Sequence, residues 1–265
     1  MRSRLVCLTA FLCLLGLSAC RRKAEPPQSS IRFEPRRFEK TLPGCGDQTK
    51  RSEPCVSFHV AWPEAAGGAP AETLARINAA ILAALQPLEA PRGFDAEADE
   101  WIRDYQRFHA EFPDSGVTYF ARRVAEVVFS SPGLITIEIR TDEFHGGPEP
   151  ESRRAFLNLS PSTGKPVELD ELLEPGGRND LLRLAEWRFR SERHIPQDSA
   201  LADAGFTFEQ NVFALPRHWG FTSRGLLLHY NAGEVAPASI GPTTLLAPWN
   251  ELRGIVSAKA GILPR

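Results

Sequence analysis

The chain is 265 residues long, 42% hydrophobic and 24% charged, with a formal net charge of -2. That is enough to bury a substantial core, in one large domain or two small ones. A near-neutral, slightly acidic balance excludes the basic footprint of a nucleic-acid binder and tolerates, or weakly attracts, a basic partner.

The chain opens with the basic stretch Met1-Arg2-Ser3-Arg4, followed by an apolar run from Leu5 to Leu15 broken by little except Thr9. Such a run is too short to span a bilayer and has the build of an export signal. It closes with Leu17-Ser18-Ala19-Cys20. These four residues resemble the bacterial lipobox, in which the Cys becomes the lipidated first residue of the mature protein. An ordinary signal peptide with a coincidental Cys is the alternative. The resemblance implies a leader over 1–19, a lipid on Cys20 and a membrane anchor. Each buried methylene of such an anchor contributes about 0.8 kcal/mol. Arg21 stands where bacterial inner-membrane lipoproteins often carry Asp, so the analogy favours a cell-envelope site on the periplasmic face of the outer membrane. Residues 20–30 are polar, contain Pro26 and Pro27, and have no apolar period, as expected of a tether.

Cysteine arithmetic follows. Cys7 and Cys13 leave with the leader and Cys20 carries lipid, so Cys45 and Cys55 remain as an even pair in an exported chain. A disulfide closing this short polar loop would contribute roughly 2–3 kcal/mol. Their spacing does not suit a CxxC redox or zinc motif.

A single folded domain is expected over 31–265, with an N-terminal half to about residue 130 and a C-terminal half from 131. Ile31 and Phe33 alternate with Arg32 and Glu34, predicting a short strand, and Val56, Phe58, Val60 and Trp62 predict a clearer one ending at Pro63. Leu74, Ile77, Ile81, Leu85 and Leu88 fall at helical spacing. A second helix carries Trp101, Ile102, Tyr105, Phe108 and Phe112, an aromatic stripe read as core packing rather than a ligand platform. Residues 117–130 predict a strand and Ser131-Pro132-Gly133 a turn. Leu134 to Thr141 predicts a half-buried returning strand, with Ile135, Ile137 and Ile139 on its apolar face. Ala155 to Leu159 adds a strand, Ser160 to Gly164 a turn and Asp170 to Leu173 a helical turn. Asn179 or Asp180 is placed to cap a helix carrying Leu181, Ala185, Trp187 and Phe189. Residues 195–210 read as loop. Leu226, Leu228 and Tyr230 alternate with Leu227 and His229, residues 243–249 give a last strand, and Glu251 to Val256 a closing helix. Clustered strands with hairpin-like links predict an α+β fold, a mainly antiparallel sheet with helices on one face.

Two blocks carry a family resemblance. One is Phe144-His145-Gly146-Gly147 with Phe156 to Leu172; the other is Phe221 to Pro237, ending in Gly241-Pro242 and Pro248 to Leu252. Together they resemble the extracytoplasmic domain of RsiV-type anti-sigma factors, a module also appended to PdaC-type peptidoglycan deacetylases and found alone in bacterial lipoproteins. Residues 137–256 match best and 40–130 more loosely. The resemblance implies an envelope module whose partner is a muramidase or peptidoglycan. The family commonly follows the glycine pair with a small residue and then His. Here Pro148 and Glu149 stand there, so no histidine role carries over.

Candidate ligand-binding residues are His145, Gly146, Gly147 and Glu149 in one loop, and Tyr230, Asn231 and Glu234 in another. The glycines permit backbone shapes, or a close approach, closed to other residues. Glu143, His145, Glu149 and Glu151 cluster locally, which raises a glycan-cleaving carboxylate pair or a metal site as the sharper alternative. A solvated loop is the preferred reading. No nucleophile elbow, phosphate-cradling loop or nucleotide fingerprint is present. The expectation is therefore no catalytic residue, no metal and no cofactor. A peptidoglycan-acting hydrolase through Glu143 or Glu149, or a structural envelope lipoprotein, stand as alternatives.

Overall fold

The computed structural model describes residues 29–42, 55–86 and 93–264. The leader, Cys20, most of the tether and Cys45 lie outside the described residues. The described residues form three α-helices and eight strands, in the order β1 (Arg32–Thr41), β2 (Val56–Gly67), α1 (Ala71–Ala84), α2 (Phe94–Glu111), β3 (Tyr119–Ser130), β4 (Ile135–Phe144), β5 (Glu151–Leu159), α3 (Gly177–Glu192), β6 (His218–Thr222), β7 (Gly225–Tyr230) and β8 (Thr243–Pro248). Strands β1 to β5 form one sheet in sequence order, and β6 to β8 form a second. Every pairing is antiparallel except β2 with β3, which α1 and α2 connect as a crossover. The α+β expectation holds.

Helix periodicity was read correctly where the stripe is strong. In α2 the residues Phe94, Ala98, Trp101 and Tyr105 are buried against the first sheet, so the aromatic stripe is core, while Phe112 at its end is exposed. In α1 the buried positions are Thr73, Ile77 and Ile81. In α3 they are Leu181, Ala185 and Phe189, while Trp187 faces outward beneath Arg188. That helix starts at Gly177 rather than at an Asn179 or Asp180 cap, because Gly176 takes the left-handed conformation that turns the chain into it. No closing helix forms over 251–256; those residues make turns and short bridges.

Strands run longer than alternation implies. β1 extends to Thr41 through the polar run Arg36-Arg37-Phe38-Glu39-Lys40, because its backbone pairs with β2 along its whole length and its apolar content is not what holds it. It is an edge strand, where Pro35 and charges are tolerated and discourage further pairing. β4 reaches Phe144 and β5 begins at Glu151, so the connecting loop shrinks to 145–150.

β4 organises the molecule. Ile135, Ile137 and Ile139 enter the core under α1 and α2, yet Thr136 and Glu138 on its other face are buried as well. The half-buried expectation is thus corrected. β6 lies over that second face, and a Cβ on Gly220 would come within 2.5 Å of Phe156 and 2.6 Å of Thr136. Only a residue without a side chain lets the two sheets approach so closely. Asn158 crosses the interface, donating to the Trp219 carbonyl at 2.8 Å while accepting from Thr136 at 2.8 Å. A second core gathers between the small sheet and α3. Phe189 is its hub, with Phe206, Phe208, Phe213 and Tyr230 at centroid distances from 4.9 to 5.6 Å. Residues 195–210 are mostly loop, as expected, but supply four of this core's side chains, Ile195, Leu201, Phe206 and Phe208.

Candidate functional site

The first loop is anchored at its base. Arg123 on β3 is almost fully buried and donates to Glu143 at 2.7 Å, to Glu97 of α2 at 2.6 Å and to the Leu85 carbonyl at 3.0 Å. Burial works against its charge, but the two carboxylates more than restore it, so the guanidinium stays protonated. Glu143 is thereby committed to an ion pair. His145 then stacks on Trp101, ring centroids 3.7 Å apart, with Tyr119 edge-on at 5.9 Å. Gly146 has φ of 80° and lies so close to Tyr119 and Val117 that a Cβ would meet each at 3.1 Å. These contacts pin the loop's start to the helix side of the sheet. Gly147 meets nothing, and Glu149 is exposed with no ion-pair partner among the described residues.

The second loop leaves β7. That strand alternates as expected: Leu226, Leu228 and Tyr230 enter the second core, and His229 is buried on the opposite side. The Tyr230 hydroxyl donates to the Ala214 carbonyl at 2.5 Å, and burial, with Glu234 nearby, pushes its pKa up. Tyr230 is therefore a core residue with a satisfied hydroxyl, not a ligand contact.

Asn231 crosses to β5, the free edge of the first sheet. Its side-chain oxygen accepts the Arg154 N–H at 2.7 Å and its NH2 donates to the Arg154 carbonyl at 3.0 Å. A side-chain amide thus takes the place of a neighbouring strand. Glu234 closes the loop on itself, accepting from the Asn231 N–H at 3.0 Å and the Asn231 NH2 at 3.2 Å, with His218 Nε2 at 3.0 Å. His229 sits beneath, Nε2 at 3.2 Å from the Asn231 oxygen and Nδ1 at 2.7 Å from the Thr244 hydroxyl. One donor and one acceptor satisfy a neutral imidazole in which Nε2 holds the proton. Burial foremost, then the Arg154 charge, lowers its pKa to about 4. Arg154 is held from its side chain too, by Glu138 at 2.9 Å.

The two loops converge. An open cleft of about 630 Å³ runs along the β5 edge, walled by Glu149 and Glu151 from one side, Arg153 and Arg154 from the strand, and Asn231 and Glu234 from the other side. Of the residues expected from sequence, Glu149, Asn231 and Glu234 line it. His145, Gly146, Gly147 and Tyr230 are not among its walls, and neither is Glu143, whose carboxylate is held by Arg123. Sequence reasoning does not single out Arg153 and Arg154, because the strand is expected to start only at Ala155, nor His218, which opens β6 far along the chain. Among the described residues no group of three or more His, Cys, Asp or Glu is placed to hold a metal, and no helix is long and apolar enough to cross a membrane. Cys55 stands just before β2, and its expected disulfide partner, Cys45, lies outside the described residues.

The molecule is thus an α+β protein of two packed sheets with an open, polar cleft at a sheet edge. Residues 170–250 match the family described as protein of unknown function DUF3298. Two solved structures share the fold. A DUF3298 family member from Bacteroides fragilis superposes with a TM-score of 0.65 at 17% identity, over 89% of this chain and 98% of that one. A DUF3298 family protein from Pseudomonas aeruginosa PAO1 gives 0.61 at 21% identity, with the same coverage. None of the curated proteins matches the chain.

Proposed function

We propose that this protein is an RsiV-like, non-catalytic binding or sensing module of the bacterial envelope, moored through lipid on Cys20 at the periplasmic face of the outer membrane. Its ligand is a muramidase-like protein or peptidoglycan. The resemblance of residues 144–172 and 221–252 to RsiV-type domains supports the ligand class. The observation that carries the reading is the convergence of both loops on the β5 edge. One acid there, Glu234, is spent on internal hydrogen bonds, while Glu149 projects without a partner among the described residues. A rigid floor with a free rim charge is the build of a contact surface, in which rim charges steer encounter and specify the partner.

Pull-down and calorimetry against lysozyme and against purified sacculi test this. Binding to either, weakened about tenfold or more by Glu149→Arg together with Arg153→Glu, is the expected result. Absence of binding to both overturns it. The unpartnered carboxylate of Glu149 also suits a hydrolase. In that case the parent protein turns over labelled peptidoglycan and Glu149→Gln does not.

A further inference from the structure

A second cleft, of about 320 Å³, opens on the far side of β6 from the sheet interface, and nothing above accounts for it. Leu169, Leu215, Pro216 and Trp219 form its apolar wall, and Glu168, Asp170, Arg178 and Arg217 its charged rim. Trp219 is only 9% exposed, yet its indole N–H meets no acceptor among the described residues. The other tryptophan of this core, Trp249, gives its N–H to the carbonyls of Thr222 and Ser223 at 3.2 and 3.1 Å. Every sealed side-chain nitrogen and oxygen among the described residues has a partner, so the Trp219 nitrogen is open to the space that Trp219 lines. A buried tryptophan ordinarily satisfies this donor.

The charges sort in the same way. Asp170 and Arg178 neutralise each other at 2.6 Å. Glu168 and Arg217 remain, each exposed and without an ion-pair partner among the described residues, although both line one small cleft. Glu168 also accepts the Glu171 N–H through its side chain in a capping box, which leaves carboxylate lone pairs over. One acid and one base outside any ion pair, an unused N–H donor and an apolar wall complement a molecule with the opposite set.

We infer that this cleft binds a small zwitterion, an amino acid or a dipeptide with both ends free. Arg217 takes the carboxylate, Glu168 the ammonium, the Trp219 N–H an oxygen of the ligand, and Leu215 and Pro216 cover its hydrocarbon part. The volume lies at the small end of ligand pockets and suits a dipeptide. The site is separate from the β5 cleft and does not depend on it.

The dipeptide Ala-Ala is the probe, with N-acetyl-Ala-Ala and Ala-Ala-amide as analogues that each lack one charge. Binding is followed by calorimetry and by the tryptophan indole N–H resonances of the 15N-labelled protein, the Trp219 signal being assigned as the one lost in Trp219→Phe. Ala-Ala is expected to shift that resonance. Each analogue should bind about tenfold or more weakly, the worth of a charge-assisted hydrogen bond. In Arg217→Gln the preference for a free carboxylate disappears, and in Glu168→Gln the preference for a free amine. Both residues are exposed, so these variants fold. A Trp219 resonance unmoved by Ala-Ala, or analogues that bind as well as the parent peptide, overturns the site. Glu149→Arg leaves all of these readings unchanged, which separates this result from that of the β5 cleft.

Discussion

The two arms of the β5 cleft are built on opposite plans. The arm from β7 is locked at its working end: Asn231 grips the β5 backbone, Glu234 grips Asn231, and His229 supports both from below. The arm from β4 is locked at its root, by Arg123 on Glu143 and by Trp101 on His145, and its far end carries Glu149, unpaired among the described residues. A hydrogen bond adds rigidity where it removes the last free group, and a free group is what a partner requires. The first arm is therefore scaffold and the second is contact surface.

The largest effect should come from the root of the contact arm. Arg123→Ala strands Glu97 and Glu143 beside a buried void, and breaking a buried ion pair in this way costs about 3–5 kcal/mol, readable by urea unfolding. Acid should act on the scaffold arm next. The folded pKa of His229 is lowered from 6.5 to about 4, so the unfolded chain binds the extra proton first. The neutral ring contributes fully above about pH 6.5. Its contribution is lost as the pH falls from there to about 4, by roughly 3 kcal/mol at most. Comparing unfolding free energies of the parent and His229→Gln across that window isolates the slope, which the variant should lack. Asn231→Ala follows. It frees the Arg154 backbone and the His229 N–H, and should cost about 2 kcal/mol, with faster amide exchange at Arg154. His145→Ala loses one ring stack, worth about 1 kcal/mol. Glu149→Gln should change stability by less than about 0.5 kcal/mol while altering whatever the cleft binds. A large destabilisation by Glu149→Gln, or none by Asn231→Ala, would reverse the assignment of the two arms.

The site was legible in part, and the division is instructive. Asn231 and Glu234 were found because a polar pair directly after a strongly alternating strand has no core to enter. Glu149 stood out as a charge in a glycine-proline loop. Tyr230 was drawn in by adjacency to Asn231, although its own place in the alternation with Leu226 and Leu228 assigns it to the core. His145 was read with its neighbours, and nothing local reveals that Trp101, over forty residues earlier, takes its ring. Arg154 was missed because its partners Glu138 and Asn231 are distant in sequence.

By itself the sequence determined the periodic elements, most of the buried stripe of each helix, and the alternation in β7, because side-chain periodicity is a local property that composition expresses directly. Only the tertiary structure decided the full length of β1, the parallel pairing of β2 with β3, and the burial of both faces of β4 under Gly220. It alone brought Glu149 and Glu234 to one cleft while sending His145 elsewhere. Those outcomes rest on backbone pairing and contact between segments far apart in the chain, and no window of neighbouring residues carries that information.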